Sequence, residues 1–279
     1  MDVQAQSFKT IETGSFKLEV YNASENSFGV ASVIVSGKKD AVLIDAQFTL
    51  QDAEKVAGEI KKSGKKLTTI YVSHGDPDFY FGLEVFKKYF PEVTVYAAAA
   101  TVEHIKATAQ KKLEVWGERL GKGITSNVVL PQVLKGNSIE LEGEKLEIIG
   151  LEEFPSKTFV WIPSAKAVVG GINVFGTTFH LWMADAQTAD ARKQWINVLD
   201  KIEALQPVIV VPAHAKSESA FDMSAVQHTK SYIQVYEEAL KTNKTSETLI
   251  AALKAKYPAL TFDIALQIGA KVNTGEMKW

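Results

Sequence analysis

Runs of strand length, apolar and rich in β-branched residues, alternate along this chain with longer segments whose apolar residues recur at helical spacing. SFKLEVYN (Ser15 to Asn22), FGVASVIVSG (Phe28 to Gly37) and AVLIDA (Ala41 to Ala46), broken by Gly and Lys-Asp turns, predict an opening meander of three strands. Thr49 to Asp52 matches a capping box, and Ala53, Val56, Ala57 and Ile60 then mark a helix that stops at Ser63-Gly64. LTTIYV returns as a strand. A loop follows, then a short helix around Leu83 to Tyr89, a strand at Val93 to Ala97 and a long polar helix from about Thr101 to Leu120. The second half repeats the order. ELEGEKLEIIGL (Glu140 to Leu151) reads as a hairpin, KTFVWIP and KAVVGG as two strands, and a helix carries Ala191, Trp195, Leu199 and Ile202 on one face. VIVVPAHA (Val208 to Ala215) reads as a fully buried strand ending in a histidine. Two sheets, each joined by helices and sandwiched face to face, satisfy both halves.

From Lys216 onward the pattern is helical, with Val226, Ile233, Tyr236 and Leu240 on one stripe. This segment reads as a cover or an interface, compatible with a homodimer. The expectation is one domain over residues 1–279, with 216–279 as a mostly helical C-terminal extension. No repeat, low-complexity segment or Pro-rich linker interrupts it.

Chemistry excludes several function classes. The chain has no cysteine, so disulfides, thiolate ligation and cysteine nucleophiles are absent, and any metal must be held by His, Asp or Glu. A net charge of -2 and interrupted lysine clusters (Lys61-Lys62, Lys65-Lys66, Lys111-Lys112) point to helix surfaces and away from nucleic acid or anionic membrane. A small-molecule substrate is the expected partner. Neither an 18-residue apolar run nor a charged n-region with an apolar stretch is present, so no membrane span or signal peptide is expected. As it stands the sequence reads as cytoplasmic, and the polar opening MDVQAQ equally suits the trimmed end of a periplasmic or secreted protein. A Gly-x-Ser-x-Gly elbow, a phosphate loop and a Rossmann glycine fingerprint are all missing.

SHGDPDF and VPAH each follow the end of a strongly apolar strand, where α/β folds build their sites. His74, Asp76 and Asp78 alternate, so an extended loop can turn all three toward one point, with His214 approaching from the other strand; these are the ingredients of a metal site. The competing reading makes Asp76-Pro77-Asp78 a turn whose carboxylates bond backbone amides, with His74 and His214 as partly buried structural histidines. His104 and His228 fall on polar helices and read as solvated or capping residues.

AVLIDA, SHGDPDFYFG, WIPSAKAVVGG and VVPAH together resemble the metallo-β-lactamase fold superfamily over roughly Phe16 to Ala215. The resemblance implies an α/β fold, an αββα sandwich of two mixed sheets flanked by helices, and a metal-dependent hydrolase whose motif is His-x-His-x-Asp-His. Here His74 matches the first histidine, Asp76 stands at the second, Asp78 matches the aspartate and Phe79 replaces the last histidine. Counting from Pro163, the next ligand position falls on Glu153 and the bridging position on Ile172, and His214 matches the final histidine. An isoleucine cannot bridge two metals. The resemblance therefore implies one divalent ion (Zn, Mn or Fe) held by His74, Asp76, Asp78, Glu153 and His214, with Asp78 also as catalytic base. Its added carboxylates make bound water less acidic than the water of a three-histidine zinc, at about pKa 7. Asp45 in LIDA is expected to support the site from behind.

Phe79, Tyr80, His180 and Trp182 are expected to contact a substrate with an apolar part, such as an ester, lactone or amide. The alternative places these aromatics in the sandwich core. At the level of function, the alternative to a hydrolase is a superfamily member that binds no metal and serves as a binding or accessory protein, its site closed by Phe79 and Ile172.

Overall fold

The computed structural model describes residues 8–279. The predicted meander is present as β2 (Lys17–Asn22), β3 (Ala31–Ser36) and β4 (Asp40–Ile44), preceded by an edge strand β1 (Lys9–Glu12) that KTIE, polar and mostly exposed, did not announce. These four run antiparallel. α1 (Leu50–Ser63) then carries the chain to β5 (Lys66–Val72); α2 (Pro77–Tyr80) and α3 (Leu83–Tyr89) carry it to β6 (Thr94–Ala97), and α4 (Ala99–Leu120) to β7 (Gln132–Val133). Parallel neighbours require such crossovers, and β4 through β7 are parallel. The result is a mixed sheet of seven strands in sequence order.

A second mixed sheet has five strands, β8 (Ser138–Leu141), β9 (Glu144–Ile149), β10 (Phe159–Ile162), β11 (Ala167–Val169) and β12 (Ile209–Val210), with α5 (Ala189–Ala204) leading into the last. Glu142 and Gly143 both take positive φ in the β8–β9 turn, at 52° and 86°. That is the primed-turn geometry that suits a two-residue hairpin. The Glu142 carboxylate reaches across to accept the amides of Lys38, Lys39 and Asp40, which joins the two sheets at one end.

Strand alternation sorts the apolar residues. Leu18, Val20, Val33, Val35, Val42 and Ile44 face Leu146, Ile148, Val160, Ile162 and Val169 between the sheets. Ile34, Leu43 and Ile70 turn the other way, into the layer where α1 buries Ala53, Val56, Ala57 and Ile60. Each fully buried Val, Leu or Ile among these contributes about 1.5–3 kcal/mol. Thr49 caps α1 by accepting the Asp52 amide at 3.2 Å, and Gly64, at φ +69°, ends it in a left-handed turn.

VIVVPAHA is only partly a strand. Pro212 cannot donate to a ladder, and after Val211, whose amide still donates to the Val168 carbonyl at 2.9 Å, the extended chain leaves the second sheet's edge to cross toward the first. The Ala31 amide donates to the Ala213 carbonyl at 2.8 Å and the Ala215 amide to the Gly29 carbonyl at 3.0 Å, while Val208 stays exposed. His214 is thereby held beside both Val30 and Phe175. Beyond it come α6 (Met223–Thr242), which buries Val226, Ile233 and Tyr236, then α7 (Ser246–Lys256) and α8 (Asp263–Asn273). Among the described residues no helix is long and apolar enough to cross a membrane.

The loop after β4 and the α2–α3 junction are laced together by the amides of Ala46 and Gly82, which donate to the Phe79 and Gln47 carbonyls at 2.8 and 2.9 Å. A Cβ at Gly82 would lie 2.0 Å from the Ala46 carbonyl oxygen and 2.7 Å from the Ala53 Cβ. Gly82→Ala is expected to lower stability by about 1–3 kcal/mol in urea denaturation; an unchanged midpoint would contradict this packing.

Candidate active site

Three strand ends meet at one edge of the sandwich, and a buried carboxylate ties them. Asp45, just past β4 and at φ +62°, accepts the Ser73 amide at 2.7 Å and the Ser73 hydroxyl at 2.6 Å. Ser73 Oγ in turn accepts the Gly171 amide at 2.7 Å, which brings in the loop after β11. Burial pushes the Asp45 carboxyl up to about 7, against the two Ser73 bonds that favour its charge. Thr158 completes the tie, its hydroxyl 3.2 Å from Tyr71 Oη and 3.3 Å from the Ser73 carbonyl.

The SHGDPDF loop is built on that base. His74 Nδ1 accepts the Asp76 amide at 3.3 Å, which leaves its proton on Nε2 in the neutral ring. Asp76 pairs with Lys112 of α4 at 2.7 Å, and the same ammonium donates to the Gly75 carbonyl at 3.0 Å and lies 3.0 Å from His104 Nε2. Burial opposes the Asp76 charge, but His74 and Lys112 overcome it and hold the carboxyl down at about 2. Pro77 opens α2 at its first position, and Asp78 enters the interior one residue later.

Asp78 faces His214, Oδ2 to Nε2 at 3.6 Å, and both side chains are buried. Because the Phe28 carbonyl can only accept, the 3.0 Å contact fixes the proton on His214 Nδ1 and leaves Nε2 with a bare lone pair toward Asp78. Burial, with the nearby Asp76 charge, raises the Asp78 carboxyl well above the usual range, whereas burial holds both His74 and His214 down at about 4. Phe175 stacks on the His214 ring at 4.9 Å and Phe79 meets it edge-on at 5.7 Å.

These groups open into two cavities. The larger, about 480 Å³, has Asp78, His214 and Ile172 at its floor and Phe28, Trp116, Trp182, Phe262 and Trp279 in its walls. The smaller, about 300 Å³, is lined by His74, His104, Lys157 and Asp185. Asp76 and Trp279 line both and form the partition. Of the expected substrate contacts, Trp182 lines the larger cavity. Phe79 and Tyr80 do not, being wholly buried in the core beneath the loop. His180 is also removed from both cavities; its Nδ1 lies 3.0 Å from Tyr232 Oη and its backbone amide bonds Thr261. Glu153 is corrected as well: its side chain is 56% exposed and pairs with Lys201 at 3.4 Å, because the turns between β9 and β10 point it outward. Lys112 and Lys157 were missed. The stripe Thr108, Lys111, Lys112, Val115, Trp116, Arg119 at helical spacing was the available signal for the first. For Lys157 no signal was present.

The sequence model of the metallo-β-lactamase superfamily matches residues 26–214. The chain belongs to that superfamily. Solved structures agree on the fold. The DIM-1 metallo-β-lactamase is similar at 19% identity with TM-score 0.54, over 82% of this chain and 97% of that one. A metallo-β-lactamase from Pontibacter korlensis gives 21% and 0.55, over 82% and 99%, and TMB-1 gives 22% and 0.52, over 82% and 97%. No curated protein matches the chain.

The superfamily generally binds divalent metals such as zinc, but the donors of this member do not fit a closed metal site. Neighbouring ligands of a tetrahedral zinc lie about 3.4 Å apart, and two pairs approach that spacing, His74 with Asp76 at 3.4 Å and Asp78 with His214 at 3.6 Å. Among the described residues neither pair is joined by a third His, Asp or Glu placed to hold an ion. Phe79 stands between the pairs, in ring contact with both imidazoles, and Lys112 supplies positive charge beside Asp76. His214 donates its remote N–H to a carbonyl as a metal-binding histidine does; His74 instead accepts there.

Asp76 binds its proton less readily folded than unfolded. Its contribution to stability is therefore present above about pH 4 and lost as pH falls toward 2. Lys112→Met is expected to destabilise the protein by about 1–3 kcal/mol at neutral pH and to flatten that acid limb in urea titrations. An unaltered limb would show that the pair does not set the carboxyl's charge.

Proposed function

We propose that this superfamily member hydrolyses a small ester, lactone or amide with an apolar body, using Asp78 and His214 as an acid–base pair. The observation that carries this reading is the bare Nε2 of His214, 3.6 Å from an Asp78 carboxyl that burial pushes well above the usual range, both lining an aromatic cavity. Two titratable groups whose surroundings push them into opposite roles are the usual mark of an acid and a base. At 3.6 Å the two are too far apart to bond each other well, and one water or carbonyl oxygen can reach both.

In the reaction His214 Nε2 takes a proton from water as the water oxygen attacks the carbonyl carbon, and the Asp78 carboxyl donates to the carbonyl oxygen as negative charge develops there. The Phe28 carbonyl stabilises the imidazolium through Nδ1–H. As the tetrahedral species collapses, the imidazolium returns its proton to the departing alcohol or amine and Asp78 recovers its own. Phe175 and Phe79 hold the ring plane and exclude bulk water. No step passes through a metal.

General acid–base groups contribute about 100- to 10,000-fold, so Asp78→Asn and His214→Ala should each lower kcat/KM by about 100-fold or more against a panel of aryl esters and lactones. The rate should rise with pH through about 4, where His214 becomes neutral, and fall at higher pH where Asp78 ionises. Asp78→Asn should remove the alkaline limb. An Asp78→Asn protein with wild-type activity would sink the assignment. The second reading, a ligand-binding protein without turnover, is favoured by Phe79 between the donor pairs and by the apolar Ile172 in the cavity lining; it predicts ligand binding with no hydrolysis across the panel.

A further inference from the structure

The wall of the larger cavity contributed by α4 is cationic where it reaches solvent. Lys111 and Arg119 stand on one stripe of α4, about two turns apart, and Lys278 lines the same cavity. Among the described residues no salt bridge pairs any of the three with a carboxylate. Below them the lining is almost wholly apolar and aromatic: Val115, Trp116, Trp182, Phe262, Ile268 and Trp279. The Arg119 guanidinium lies 5.1 Å over the Trp116 ring, so its aliphatic stem and flat face extend the apolar wall up to its charge. Deeper in the cavity, Asp76 adds no unpaired negative charge, since it is already paired with Lys112 at 2.7 Å, and Asp78 is turned toward His214 at 3.6 Å.

A cavity with this polarity is matched by a molecule of the opposite polarity. We propose that it takes an amphipathic organic anion, an aryl or alkyl body within the aromatic walls and a carboxylate or sulfonate head at the Lys111, Arg119 and Lys278 rim. This deepens the reading of the cavity as the ligand site by naming the substrate class, an ester or lactone that also carries a fixed negative charge. A cationic ligand is disfavoured twice: the rim repels it, and the Trp116 face that would attract it is covered by Arg119. The head group binds at an exposed rim, so its attraction is screened by salt while the apolar body is not.

The test compares two dyes of nearly the same body, anilinonaphthalene sulfonate and uncharged N-phenylnaphthylamine, titrated into the full chain. Dye emission and quenching of tryptophan fluorescence are both read, since Trp116, Trp182 and Trp279 stand on the cavity wall. The sulfonate should bind about five- to tenfold more tightly than the uncharged dye at low salt, the range expected of three exposed charge contacts. A variant with Lys111→Gln, Arg119→Gln and Lys278→Gln should lose that preference and bind the uncharged dye as the wild type does. Equal binding of the two dyes, a preference retained in the variant, or a preference indifferent to salt would overturn the proposal. The readout is independent of turnover: if the Asp78–His214 chemistry is wrong, Asp78→Asn protein still shows the preference, and if the rim is wrong, hydrolysis of uncharged esters is unaffected.

Discussion

The Asp45 carboxylate is the constraint on which the site is assembled. It stands at the end of β4, grips the amide and hydroxyl of Ser73 at the end of β5, and through that hydroxyl fixes the Gly171 amide beyond β11. One side chain therefore sets the relative position of strand ends from both sheets, in a place wholly closed to solvent. The chain must hold a left-handed conformation at Asp45 to do this, which Asp tolerates better than most residues. Two parts of the cavity lining hang from these ends, the SHGDPDF loop from β5 and Ile172 from the turn after β11, while His214 arrives on the crossing segment beyond β12.

Given that frame, the pattern of charge follows from which neighbours each carboxyl meets. His74 and Lys112 hold the Asp76 carboxyl down, whereas burial and the Asp76 charge push the carboxyl of Asp78, two residues on, well up. The two residues look equivalent in the sequence. The lysine that separates their fates comes from a helix that begins after another strand has intervened. In the same way Phe79 does more than remove a ligand, since its ring takes up the space toward which both imidazoles turn.

The fold was legible because it rests on periodicity, which is local. The meander, the capped α1, the hairpin and the alternation of strands and helices follow from spacing of apolar residues and from Gly and Thr at helix ends. The extent of VIVVPAHA was not, since a proline inside an apolar run changes hydrogen bonding without changing hydropathy. Within the candidate site, the residues on the two motif loops could be found because they lie next to strands that read clearly. Glu153 was placed by a count across turns, and a count carries no information about which way a turn points. Lys112 reads as one of many surface lysines until α4 is laid against the loop. His180 and Tyr80 illustrate the converse: polar and aromatic residues close to a motif in sequence were drawn into the core by packing.

The positive charge beside Asp76 is the Lys112 ammonium, and the donor pairs do not close around an ion. Metal content per chain, measured by plasma mass spectrometry after dialysis of chelator-stripped protein against Zn, Mn or Fe, tests this most directly. The account predicts metal far below one equivalent for each ion, with no difference between the wild type and a His74→Ala, His214→Ala variant. One tight equivalent that disappears in that variant would contradict it and return the site to metal chemistry.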